Sequence, residues 1–489
     1  MSQPISFPRY PSSNRVPGVF ADIDPSKANT ATAQLRALII AQMAGGTAVA
    51  GTPVVVPSVS AAITLFGAGS QAAIAVQHYR NIDTFGELWV LPLADDDAAQ
   101  AAAGSIGITG TTSASGTLVL LFDNVSVSIP YAAGDTAATI LGRIPSAMAK
   151  VTGIPLSAGA VADGALPLTA INKGLCGNDI LIGISDQSSD YVSAGLAVTI
   201  TQPTGGTQNP TTLATALLAL GSKPYDFIAC PYTDAASLGA LKAFLSTASG
   251  RWSWNEMIFG HVYSAIRGTL GTVTTFAQSV NDEHLTVMPI ADSPSSPLRW
   301  AAEIAASAAV KCRADPALPI TQMALTIAPP SDGNVWSFSE QNSLLYEGMS
   351  VFSVSDDGTV SILRLITTYQ ENVAGSPDDS YLDVETMNTL AYVIRDLRTF
   401  QQPYLAMKLV SDTTRIPGGS GCINAPVVKQ ALIGRYRFLE TAGYVQNSAN
   451  FAAAIIVQNK GAGQLAESLP IDVANQVRTI PMLIQFRKS

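Results

Sequence analysis

Tyr225-Asp226-Phe227-Ile228-Ala229-Cys230 decides the fold. It is a short, nearly unbroken apolar run, the pattern of a strand buried on both faces. Asp234 follows as the N-cap of a helix expected to reach about residue 249. The unit then recurs: a strand at 256–260 with a helix at 270–280, and a strand at 284–290 with a helix at 297–313 opened by Pro297. Consecutive βα units of this length predict a parallel sheet with helices on both faces. Upstream, Arg36-Ala-Leu-Ile-Ile-Ala41 and Glu87-Leu-Trp-Val-Leu-Pro-Leu93 read as further buried strands. Between them fall helices at 60–66, closed by Gly67, and at 70–80, with Ala73, Ile74, Val76 and Tyr79 on its apolar side.

Residues 98–210 interrupt this layer. They hold six Asp, two Lys, one Arg and no Glu, and their short alternating runs (116–122, 125–129, 195–202) are separated by Gly, Asn and Asp. That is a β-rich insert, with one helix at 136–151. After Pro329-Pro330 a hairpin is expected at 350–355 and 359–368 around Asp356-Asp357-Gly358. The C-terminal region is more charged and fits two amphipathic helices, 383–400 and 426–441, then a strand at 451–458. The fold class is therefore α/β, with an inserted β-rich domain, an α+β C-terminal domain and an extended arm at each end. The divisions fall at 1–20 (arm), 21–97 (core), 98–210 (insert), 211–370 (core), 371–471 (C-terminal domain) and 472–489 (arm).

The composition excludes several functions. Of 489 residues 47% are hydrophobic and only 13% charged, against roughly 25% charged in an ordinary soluble chain; intrinsic disorder is excluded. A net charge of −9 argues against binding nucleic acid through its phosphates. The four Cys (176, 230, 312, 422) have neither CxxC nor metal spacing, as in a reduced compartment. Mean hydropathy is +0.26 and no charge lies between Arg36 and Arg80, yet Gly and Pro break that stretch into pieces too short to span a bilayer. The N-terminus lacks an apolar signal region, so the chain is expected to be soluble and cytosolic at synthesis, with no membrane insertion.

No catalytic constellation emerges. GxxxxGK[ST], GxGxxG and GxSxG are absent from the sequence. His78, His261 and His284 are far apart and read most simply as half-buried structural residues. In Asp282-Glu283-His284, neighbouring side chains of an extended segment point to opposite sides, which disfavours a shared metal ion. Asp95-Asp96-Asp97 reads as a solvated linker or helix N-terminus, and Pro417-Gly-Gly-Ser-Gly421 as a flexible loop. No catalytic residue, metal ligand or cofactor is assigned. An α/β hydrolase with an unrecognised site is the competing class.

The C-terminal region does carry an ordered set of segments: Tyr381-Leu-Asp-Val384, Leu390-Ala-Tyr-Val-Ile-Arg-Asp-Leu-Arg398, Lys408-Leu409, Asp412, a Gly-rich loop, Phe438-Leu-Glu-Thr-Ala-Gly443, Leu469-Pro-Ile-Asp-Val-Ala-Asn-Gln-Val-Arg478 and Ile484-Gln-Phe486. With Val16-Pro-Gly-Val-Phe20 near the start, this resembles the tail sheath proteins of contractile-tailed phages, in particular their Mu-like branch. The resemblance implies a subtilisin-like core without protease activity. It also implies six-subunit rings stacked around an inner tube, which shorten on a baseplate trigger and drive the tube through the host envelope. The implied partners are the chain itself, a tail tube protein, and baseplate and tail terminator proteins. The implied place is the virion tail, after assembly in the host cytoplasm; a phage-tail-like bacteriocin or injection system would use the same subunit. The arms would add strands to neighbours through Val16, Val19 and Phe20 and through Ile480, Leu483, Ile484 and Phe486. Arg478, Arg487 and Lys488 would steer them onto an acidic body.

Overall fold

The structure, a computed structural model, describes residues 35–488; Val16, Val19 and Phe20 lie outside the described residues. The core opens with β1 (Ala37–Gln42), β2 (Val54–Val55), α1 (Val59–Phe66), α2 (Gln71–Ile82) and β3 (Leu88–Leu93). The insert follows as β4 (Ala103–Gly110), β5 (Gly116–Phe122), β6 (Val125–Tyr131), α3 (Ala137–Met148), β7 (Leu156–Ala158), β8 (Ala165–Ala170), β9 (Ile182–Ile184) and β10 (Leu196–Thr204). The core resumes with α4 (Leu213–Leu218), β11 (Phe227–Ala229), α5 (Ala235–Leu245), β12 (His261–Ile266), α6 (Leu270–Ala277), β13 (Leu285–Pro289), α7 (Pro297–Ala314), α8 (Phe338–Tyr346) and the hairpin β14 (Val351–Val354) and β15 (Val360–Arg364). The C-terminal part holds α9 (Val384–Gln401), β16 (Lys408–Leu409), β17 (Cys422–Ile423), α10 (Ala425–Thr441), α11 (Ser448–Ala454), β18 (Ile456–Gly461) and β19 (Gln464–Ser468).

The core sheet has six strands in the order β13-β12-β11-β1-β3-β2, parallel throughout except for β2 at one edge. β1 is buried along its whole length, which accounts for its unbroken apolar sequence. α7 packs on β11 and β12 and against α2, which packs on β1. The alanines of α7 (301, 302, 305, 306, 308, 309) are buried and allow this close approach. Side-chain caps start α1 and α2 at Ser58 and Ser70, and Gly67 at φ 87 ends α1. The insert has its own apolar interior between the sheets β10-β4-β8-β7 and β6-β5-β9. The Gln202 side chain fastens the two together, donating to Ile182 O at 2.7 Å and accepting from Ile182 N at 2.8 Å. A third apolar cluster joins α9, α10 and α11. Among the described residues no helix is long and apolar enough to cross a membrane.

Two expected strands are displaced. Residues 256–260 form a loop, with Met257 at φ 48 and Phe259 at φ 59. Their amides bond locally, Met257 N to Ser253 O and Ile258 N and Phe259 N to Arg251 O, so the strand begins only at His261. Residues 448–454 continue as α11 because Phe451 stacks on Tyr436, with ring centroids 3.8 Å apart, and the strand starts at Ile456. α8 is opened by a capping box between Ser337 and Glu340.

Candidate assembly surfaces

In an open α/β sheet, ligands bind at the carboxyl ends of the strands where the strand order reverses. Here that point lies between β1 and β11. Gln42, ending β1, donates to Asp95 Oδ1 at 2.7 Å and Lys173 O at 2.8 Å, and accepts from Gln71 Nε2 at 2.8 Å. Asn172 of the insert donates to Asp95 Oδ1 and to Met43 O, both at 2.9 Å, and accepts from Gln71 N. The insert thus plugs the crevice with residues 172–179. A small space of about 30 Å³ remains beside Gln71, Asn172, Cys176 and Asp179, enough to hold water. Burial pushes the Cys176 thiol well above its ordinary range and that of Cys230 up to about 12, so neither is a ready nucleophile.

Asp95 is accordingly no solvated linker but a hub, also accepting from Lys173 N at 2.9 Å. Asp96 accepts from Thr211 across the seam where the chain re-enters the core. A second seam is built on charge. Asp123, in the β5–β6 turn, accepts from Ser296 N at 2.7 Å and Arg299 Nε at 2.5 Å. Arg299 also reaches Gly153 O and His78 Nε2. A guanidinium only donates, so His78 Nε2 accepts and its Nδ1–H donates to Glu303 at 2.6 Å.

All three histidines are more deeply buried than the sequence suggests. Burial pushes His261 and His284 down to about 3, and His284 stacks on Trp252 with centroids 4.7 Å apart. Asp282 accepts from His284 N, and burial pushes its carboxyl up to about 6. Among the described residues no group of His, Cys, Asp and Glu is placed to hold a metal ion.

The C-terminal segment is the opposite kind of surface. Residues 479–488 form no strand or helix, and among the described residues they make no hydrogen bond to the rest of the chain. Ile480, Met482, Leu483, Ile484 and Phe486 are 74–87% exposed, apolar area that a folded protein ordinarily covers. Arg487 and Lys488 are exposed beside them. Arg478 differs: it is paired within its own chain to Asp383 and Glu385. Among the described residues β18 and β19 pair with each other alone, which leaves an open edge on each side.

The chain is thus a mixed α/β body whose C-terminal segment leaves a run of apolar side chains exposed. A family profile described as "Phage tail sheath protein central domain" matches residues 205–368. The chain is 33% identical to the Mu-like prophage FluMu tail sheath protein of Haemophilus influenzae, over 99% of each chain. A chain of the anti-feeding prophage baseplate in its contracted state shares the fold, with a TM-score of 0.51 at 11% identity over 97% of this chain and 98% of that one. The sheath tail protein of Desulfitobacterium hafniense aligns with a TM-score of 0.47 at 12% identity, over 94% and 97%. The chain belongs to the phage tail sheath family, in its Mu-like branch, and is a structural subunit of a tail sheath.

Proposed function

We propose that this chain is the repeating unit of a contractile sheath, stacked as six-membered rings around an inner tube and shortening to drive that tube through a host envelope. The observation that carries the reading is the apolar stretch 480–486, held outside its own fold. In an extended arm Ile480, Met482, Ile484 and Phe486 share one face, and a neighbour's open sheet edge, such as that of the β18–β19 hairpin, supplies the pairing groups they need. Each main-chain bond adds about 0.5–1.5 kcal/mol. One arm is therefore weak, but arms repeated in every ring hold a lattice together while its rigid bodies rotate.

The core is proposed to be subtilisin-like and non-catalytic, carrying the insert and C-terminal domain at the divisions given above. Its partners would be itself, a tube protein, and the baseplate and terminator proteins at the two ends. Its place would be the virion tail, after assembly in the host cytoplasm. Negative-stain microscopy of purified protein tests this: rings or tubes are expected, and a small discrete oligomer would overturn it. Removal of residues 480–489 is expected to abolish tubes; undiminished polymerisation would refute the arm.

A further inference from the structure

The root of the C-terminal arm is clamped by charge. Arg478 Nη2 lies 2.9 Å from Asp383 Oδ1 and 2.8 Å from Glu385 Oε2. The Glu385 side chain has no solvent exposure. Its other oxygen accepts from Ile320 N at 2.6 Å, and among the described residues Arg478 is its one cationic partner. Asp383 is shared with Arg364, at 2.9 Å. Withdrawing Arg478 would strand a buried carboxylate, which is costly. The residues just before it are also tied down: Gln446 N donates to Asp472 O, Ala474 N to Tyr444 O, and Gln476 Nε2 to Ala317 O at 3.1 Å.

We propose that Arg478 is the positioning residue of the arm, fixing its point of departure beside Glu385 and leaving residues 479–488 to cross to a second copy of this chain. The inference rests on the strand-adding reading above. An extended residue spans at most about 3.6 Å, so Phe486, eight residues beyond Arg478, reaches roughly 26–29 Å from the clamp. The accepting edge of the neighbour must stay within that distance of Glu385 in every packing the sheath adopts. Arg478 therefore belongs to the anchor of the arm, and steering falls to Arg487 and Lys488.

Hydrogen exchange and tube assembly of full-length Arg478→Ala test this together. Exchange over residues 472–478 should rise while α10 keeps its protection, and the concentration needed for tubes should increase by about tenfold or more. Arg478→Lys should restore much of both. The double variant Arg478→Gln/Glu385→Gln leaves no unpaired buried charge and keeps the fold available; it too should assemble less readily at an unchanged melting temperature. Assembly and exchange like the wild type in these variants would overturn the clamp. The two readings fail separately: if removing 480–489 leaves assembly intact the arm itself is wrong, whereas if that deletion abolishes tubes and Arg478→Ala does not, only the clamp is wrong.

Discussion

The β-rich insert and the C-terminal arm both project from the same body, yet they are attached in opposite ways. The insert is locked at two seams by buried polar and charged groups, Asp95 with Gln42 and Asn172, and Asp123 with Arg299. The arm is held at its root by Arg478 and by the bonds of residues 472–476, and beyond Arg478 it makes no hydrogen bond to the described chain. The seam bonds tie the insert to the core, whereas residues 479–488 have no such tie to the described chain. Of the few charged side chains in residues 98–210, Asp123 is buried at a seam, whereas Lys150, Asp163, Asp186 and Asp190 are exposed.

The largest expected effect separates folding from assembly. Ile484→Asp with Phe486→Asp should abolish tubes while shifting folding stability by no more than about 0.5 kcal/mol; sedimentation and urea unfolding read the two, and a large loss of folding stability would break the contrast. At the insert the order reverses. Arg299→Met leaves Asp123 buried and unpaired (side chains 4% and 1% exposed), so unfolding free energy should drop by about 3–5 kcal/mol. A loss below about 1 kcal/mol would mean that the seam is not held by this pair.

A change of slope, read against pH, is expected of the buried titratable groups. His261 and His284 sit near 3 in the fold, below the ordinary histidine value, so the unfolded chain binds protons that the folded chain does not. They erode stability as pH falls from about 6.5 toward 3, by up to about 1.4 kcal/mol per pH unit each. Asp282 near 6 works the other way, its burial penalty being relieved as pH falls from 6 toward 4. Asp282→Asn should therefore steepen the acid-side decline, measured as urea midpoint against pH; an unchanged slope would remove Asp282 from the account. The smallest effect belongs to the outer face of the insert: Thr199→Lys on exposed β10 should leave stability within about 0.5 kcal/mol and tube formation unchanged. Impaired assembly would show that this face meets a neighbour.

Much of the scaffold was legible because its signals are local. β1, β3 and β13 read as buried runs, Asp234 and Pro297 marked helix starts, and the Gly358 turn marked a hairpin. Where local signals competed, tertiary contact decided. The apolar run 256–260 bonds to Arg251 and becomes a loop, and Phe451 is drawn onto Tyr436 as part of a helix.

The α/β layers, the β-rich insert and the apolar, extended character of the C-terminal end each follow from residue periodicity within a few positions of the chain. What the charges do emerges from long-range contact alone. Arg299 finds Asp123 across 176 positions and Arg478 finds Glu385 across 93. A pairing at that range leaves no period or spacing in the chain; it exists only once the sheet has brought distant segments into a common, water-poor interior where a lone charge cannot remain unpaired.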